Sequence, residues 1–220
     1  MKQNQDYKNE SLAALKGNWA PAVLAGIVLY AVMGVVMGPY YGVNIASAIS
    51  GVTSHAIIPL YVGTLVLIYL VGWPLMVGYY NAQKVLLVNG DNRLIQNMFE
   101  IGFGNWLHYV WGSILMMLYI ALWTLLLFIP GIIKSYSYAM TYYILVERPE
   151  LSANQAIDES RRLMIGHKFD LFYLDLSFIG WILLSMLTCG IGLLWVMPYW
   201  VTARAAFWED IKANDPAWQA

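Results

Sequence analysis

Lys134 opens a run that is far more polar than its surroundings: Lys134, Ser135, Tyr136, Ser137, Tyr138, Ala139, Met140, Thr141, Tyr142, Tyr143. At helical spacing, positions 134, 138, 141, 142 and 145 share one face, which predicts an ammonium group above a column of hydroxyls from Tyr138, Thr141 and Tyr142. That chemistry suits a phosphate or carboxylate, as in a lipid headgroup or a small anionic substrate held between helices. The alternative is a lysine that snorkels to the headgroups, with its tyrosines in an interfacial aromatic belt. A second pair follows from chain geometry. Asp175 and Arg204 are symmetric about a point between Cys189 and Gly190, near the centre of the Thr188–Gly192 turn, so antiparallel helices of equal rise bring them to one level and predict an ion pair. Packing and orientation are its expected role, although a proton or ion coupler would leave the same trace.

Catalytic patterns are missing. There is no His-Glu-x-x-His zinc site, no Gly-x-Ser-x-Gly elbow, no P-loop and no Gly-x-Gly-x-x-Gly fingerprint. No catalytic residue, metal site or cofactor is therefore expected. His55, His108 and His167 are dispersed, His55 and His108 read as satisfied structural residues rather than ligands, and Cys189 is the single cysteine, so no disulfide can form within the chain.

The elements that position these residues are apolar. Of 220 residues, 60% are hydrophobic and 11% charged, about half the charged share of a soluble domain. With 18 Gly, 10 Trp and 16 Tyr, this composition excludes a disordered chain, a coiled coil and a disulfide scaffold. The net charge of -1 leaves no basic surplus for nucleic acid.

No charged residue occurs across the 67 residues from Gly17 to Gln83, and a hydrocarbon core of ~30 Å needs only ~20 residues of helix. Apolar stretches predict crossings at Pro21 to Met37, Ile58 to Tyr80, Leu107 to Ile129 and, shorter and more polar, Ile132 to Val146. Leu171 to Trp208 supplies two more around its turn. Six crossings put 11 of the 12 Lys and Arg residues on one side, which the positive-inside rule makes cytoplasmic, together with both termini. Only Lys134 falls opposite, with no acidic neighbour to neutralise it. The first 17 residues lack an A-x-A-like cleavage site, so no removed signal peptide is expected.

The fold class is thus all-α: a polytopic membrane protein whose six helices form three hairpins in a single domain, 1–220. Gly17-Asn18-Trp19, Gly104-Asn105-Trp106 and Gly166-His167-Lys168 each precede an odd-numbered crossing, and Pro74, Pro130 and Pro198 mark the even ones. Together they suggest a threefold repeat with units 1–90, 91–150 and 151–220, against chance recurrence of short motifs. Each unit would open with a short interfacial amphipathic helix. The clearest is Ser152 to Ile165, with Ser152 and Gln155 as a capping box. Ala156, Ile157, Leu163 and Met164 can face the membrane, leaving Asp158, Glu159, Arg161 and Arg162 to water. This is a docking face for a cytoplasmic protein partner or simply a solvated loop helix.

The later segments Phe128-Ile129-Pro130-Gly131-Ile132-Ile133-Lys134-Ser135-Tyr136, Ser160-Arg161-Arg162-Leu163-Met164-Ile165-Gly166-His167-Lys168, Leu176-Ser177-Phe178-Ile179-Gly180-Trp181 and Gly190-Ile191-Gly192-Leu193-Leu194-Trp195-Val196-Met197-Pro198-Tyr199 carry a resemblance. With Leu15-Lys16-Gly17-Asn18-Trp19, they resemble the bacterial integral-membrane family known as domain of unknown function 975. The resemblance implies a multi-pass inner-membrane protein and assigns no activity. A more distant similarity to the membrane domain attached to some glycerophosphodiester phosphodiesterases implies lipid-related work and supplies no active-site residues. Two functions compete. One is binding or transport of an anionic or amphipathic small molecule or lipid in a cavity of the fourth and sixth helices. The other is a membrane scaffold or accessory subunit that docks a partner through residues 10–16 and 152–165. An intramembrane enzyme would need a polar cluster that the linear sequence does not display.

Overall fold

The computed structural model describes residues 1–51 and 57–219, and every regular element among them is helical. Helix α1 (Asn4–Leu15) leads through Gly17 into α2 (Trp19–Ser50). Then α3 (Ile57–Leu67), a π-helical turn (Ile68–Gly72) and α4 (Trp73–Asn89) make one continuous return. They are followed by α5 (Leu94–Gly104), α6 (Trp106–Leu126), α7 (Phe128–Ser137), α8 (Thr141–Glu147) and α9 (Ala153–Leu163). The chain closes with α10 (Lys168–Leu176), α11 (Ile179–Leu187), α12 (Leu193–Asn214) and the single turn α13 (Pro216–Gln219). Four stretches are long and apolar enough to cross a membrane: Trp19–Ser50, Ile58–Asn89, Trp106–Leu126 and Lys168–Leu187. The two other expected crossings have a different character. The stretch 132–146 is divided between α7 and α8 by a turn at Tyr138 to Met140, and α12 carries Arg204, Glu209, Asp210 and Lys212. His55 lies outside the described residues.

The prolines act differently from one another. Pro74 has no N–H to give the Leu70 carbonyl one turn earlier, and the backbone widens into the π turn just before it. The freed Leu70 oxygen accepts instead from the Trp106 indole Nε1 at 2.5 Å, which ties the start of α6 to this return helix. Pro130 stands in the first turn of α7, where a missing donor costs nothing, so it is no kink there. Gly17 and Gly166 both adopt left-handed conformations, with φ of +84° and +86°, while Gly104 ends α5 without one. Two of the three junctions therefore share one backbone device.

Helix α5 folds back along α4 at very short range. A Cβ on Gly78 would overlap the Met98 carbonyl, and one on Gly102 would stand 2.6 Å from the Pro74 oxygen. Only glycines permit that approach. Gly78→Ala is expected to push α5 away and to cost about 1–3 kcal/mol, as overpacking does; an unchanged thermal midpoint in detergent would refute the contact.

The centre is where α4, α8 and α12 meet. The Tyr80 ring lies 5.7 Å from Tyr142, 6.2 Å from Tyr143 and 6.5 Å from Trp200, and Tyr143 stacks on Trp208 at 5.6 Å. One end of this centre is tied by Glu147, which accepts from Lys84 Nζ at 2.7 Å, Lys212 Nζ at 3.0 Å and Trp208 Nε1 at 2.9 Å. Burial would raise the Glu147 carboxyl, but Lys84, Trp208 and Lys212 outweigh it and hold it below its usual range. Helix α1 packs on α12, with the Tyr7 hydroxyl donating to Asp210 at 2.7 Å.

The expected capping box of α9 is present, with the Ser152 and Gln155 side chains each engaging the other's backbone. Its apolar face goes elsewhere than expected. Ala156, Ile157, Leu163 and Met164 are buried inside the protein, against α6 and α8, because a stripe that suits lipid also suits the side of a helical hairpin.

Candidate functional site

The site is built where α7 breaks into α8, and α9 stabilises the break. A helix interrupted inside a protein leaves carbonyl and N–H groups without partners. Here one hydroxyl serves both ends: Ser160 Oγ donates to the Ser137 carbonyl at 3.0 Å and accepts from the Met140 N–H at 3.2 Å. Ser160→Ala leaves both groups buried and unpaired, an expected cost of about 2 kcal/mol or more, readable as a lower thermal midpoint that Ser160→Thr restores in part.

The break overturns the expectation of a single column. Lys134 and Tyr138 line one cavity, Tyr138 and Tyr142 line another, and Thr141 turns into the core, fully buried, with its hydroxyl unpartnered. Leu145 packs against Gly112 of α6. Two helices joined by a non-helical turn no longer keep one angular register.

The outer cavity, of about 290 Å³, is walled by Tyr119 and Trp123 from α6, Lys134 and Tyr138 from α7, and Asn154, Ile157, Asp158 and Arg161 from α9. Lys134 is thus not alone on a far side. The expectation fails because α9 lies along the α6–α7 hairpin, pinned by a hydrogen bond from Tyr119 to Asn154 at 3.0 Å. Arg161 is paired with Asp158 at 3.2 Å. Lys134 forms no ion pair among the described residues; its ammonium sits over the Trp123 ring, 4.4 Å from the centroid. One net positive charge therefore remains in this cavity.

The inner cavity, of about 230 Å³, lies on the other side of Tyr138 and is lined by Tyr80, Ser135, Tyr136, Tyr142 and Arg204, with Met116 and Ile120. Asp175 and Arg204 form a bidentate ion pair, Nε to Oδ1 at 2.9 Å and Nη2 to Oδ2 at 2.5 Å. Trp200 donates to the same carboxylate at 2.7 Å and lies under the guanidinium, 4.5 Å from its ring centroid. A guanidinium has five N–H donors, and Asp175 takes two. Tyr80, which lines the same cavity, lies within reach of another.

Sequence reasoning does not place Arg161 and Asn154 beside Lys134, their only signal being the polar face of α9; it gives Tyr136 no site role, and it misses Tyr119 of α6 and Tyr80 of α4 altogether. His108 also differs from expectation, since its Nε2 is buried without a partner, while His167 lies 3.4 Å from Asp170. Among the described residues no group of three His, Cys, Asp or Glu side chains could hold a metal ion. The two cavities bring cationic and hydroxyl donors together around Tyr138.

No curated protein and no solved structure matches the chain. A family model does, that of the protein of unknown function DUF975, over residues 107–215. Those residues hold every wall of the two cavities except Tyr80. The resemblance to DUF975 carried by the later sequence motifs is thus matched by the family model over that stretch, just under half of the chain.

Proposed function

We propose that the protein is an integral inner-membrane protein that binds, and in the fuller reading transports, an anionic amphipath such as a lipid. The anionic group would lie at Lys134 in the outer cavity, with further acceptor oxygens reaching past Tyr138 toward Arg204. The observation that carries this reading is that Tyr138 is a wall common to two cavities, one holding an ammonium without an ion-pair partner among the described residues and the other the Arg204 guanidinium. An uncompensated cation at this depth is costly unless something anionic is present.

In the same proposal the chain crosses six times with both termini cytoplasmic, α7–α8 and α12 serving as the fourth and sixth crossings. A short helix and a break precede a long apolar helix at α1, α5 and α9, although only α5 and α9 are amphipathic, which gives the threefold repeat partial support. The alternative, a scaffold docking a partner through residues 10–16 and 152–165, has less support because Leu15, Ala156, Ile157 and Leu163 are buried in the chain itself.

Thermal unfolding in detergent with added phosphatidylglycerol or phosphatidylcholine tests the reading. A ligand present at a hundredfold over its Kd stabilises by about 2.7 kcal/mol, so the anionic lipid is expected to raise the midpoint and the zwitterionic one to do so far less. Equal shifts for both would contradict an anion-selective site.

A further inference from the structure

A third cavity, of about 320 Å³, lies between α2, α4 and α12 and shares with the Arg204 cavity only the ring of Tyr80. Its character is different. Four of the chain's 11 methionines, Met33, Met37, Met76 and Met197, line it, and no charged residue does. Methionine side chains are flexible and polarisable and adapt to irregular apolar shapes. An apolar cavity of ~150 Å³ already holds a benzene-sized ligand, so this one has room for a chain of about twice that bulk.

Tyr30, Tyr79 and Tyr80 bring rings with hydroxyls to the apolar wall. Tyr79 is 3% exposed, and its hydroxyl, beside the Gln83 amide, finds no acceptor. A Cβ built on Gly26, across the cavity, would stand in van der Waals contact with that oxygen, 3.6 Å away, so the glycine keeps any larger side chain away from the hydroxyl. A buried donor without an acceptor is rare and costly, and an acceptor brought by a ligand would relieve it. A charged headgroup would find no counter-charge here.

We propose that this cavity is a second binding site, for an apolar chain bearing a neutral carbonyl, the chain lying among the methionines and the carbonyl accepting from the Tyr79 hydroxyl. It is independent of the anionic site and stands whether or not that site is real.

The test uses the full chain in phosphatidylcholine nanodiscs, photolysed with the methyl ester of a diazirine-bearing fatty acid and mapped by peptide mass. Labels are expected on the segments holding Met33, Met76 and Met197. Tyr79→Phe keeps the ring and should lower ester labelling there about two- to tenfold, the worth of one neutral hydrogen bond, while leaving labelling by the matching diazirine alkane unchanged. Gly26→Leu should abolish both at the methionines and spare the label at outward-facing Trp111, which also reports that the variant is folded. A phosphatidylcholine with the diazirine in its acyl chain separates the sources: labelling at the same methionines means the bilayer supplies the ligand, and labelling by the ester alone means a separate neutral amphipath. Ester labelling that ignores Tyr79→Phe, or cavity labelling that survives Gly26→Leu, would overturn the proposal.

Discussion

Asp175→Leu is expected to be among the most damaging single substitutions in the chain, lowering stability by about 3–5 kcal/mol, the cost of orphaning a buried ion-pair partner. Arg204 is 15% exposed as a side chain and would keep its charge, because a guanidinium cannot shed its proton. Its stack on Trp200 offers only partial compensation. The double variant Asp175→Leu with Arg204→Met should recover most of the loss, since apolar residues of similar volume often replace a buried ion pair without penalty. Thermal midpoints of the two single variants and the double variant decide the matter. Additive losses would mean that the pair is not coupled.

Glu147→Gln is expected to cost a similar amount, about 3–5 kcal/mol, for a different reason. It leaves Lys84 and Lys212, 12% and 17% exposed, facing each other without the carboxylate that joins α4, α8 and α12. Glu209 still reaches Lys212 at 2.9 Å, so Lys84 suffers most. The pH dependence follows from the lowered Glu147 carboxyl. A carboxyl held below its unfolded value contributes stability that is fully present above the unfolded value, about 4.3 for glutamate, and is lost as pH falls through the folded value. The advantage of the native chain over Glu147→Gln should thus be constant from pH 7 to about 5 and shrink below about 4. A gap that stays constant down to pH 3 would show that the carboxylate charge is irrelevant.

The Asp175–Arg204 pair was legible because it depends mainly on local geometry: antiparallel segments about one short turn place symmetric residues at one level, and the break at Ser177 and Phe178 between α10 and α11 does not shift Asp175 out of reach of Arg204. The capping box at Ser152 is local too. Lys134 shows the limit. Its hydroxyl column presumes an unbroken helix, and the break at Tyr138 to Met140 is held by Ser160, which is 20 residues further along the chain than Met140. The identity of its neighbours depends on where α9 docks, and an amphipathic stripe says that a helix has a buried face without saying what buries it. The near-contact of Gly78 with Met98 is hidden for the same reason, since a glycine in an apolar helix reads as small, and only its partner across the interface shows why smallness is required.

The most direct measurement is native mass spectrometry of the gently extracted protein beside Lys134→Met, with each adduct identified. An anionic amphipath bound to the native chain and lost or at least tenfold weakened in the variant, about 1.4 kcal/mol of binding, is the predicted result. Adducts of the same identity and abundance on both chains would contradict the site at Lys134.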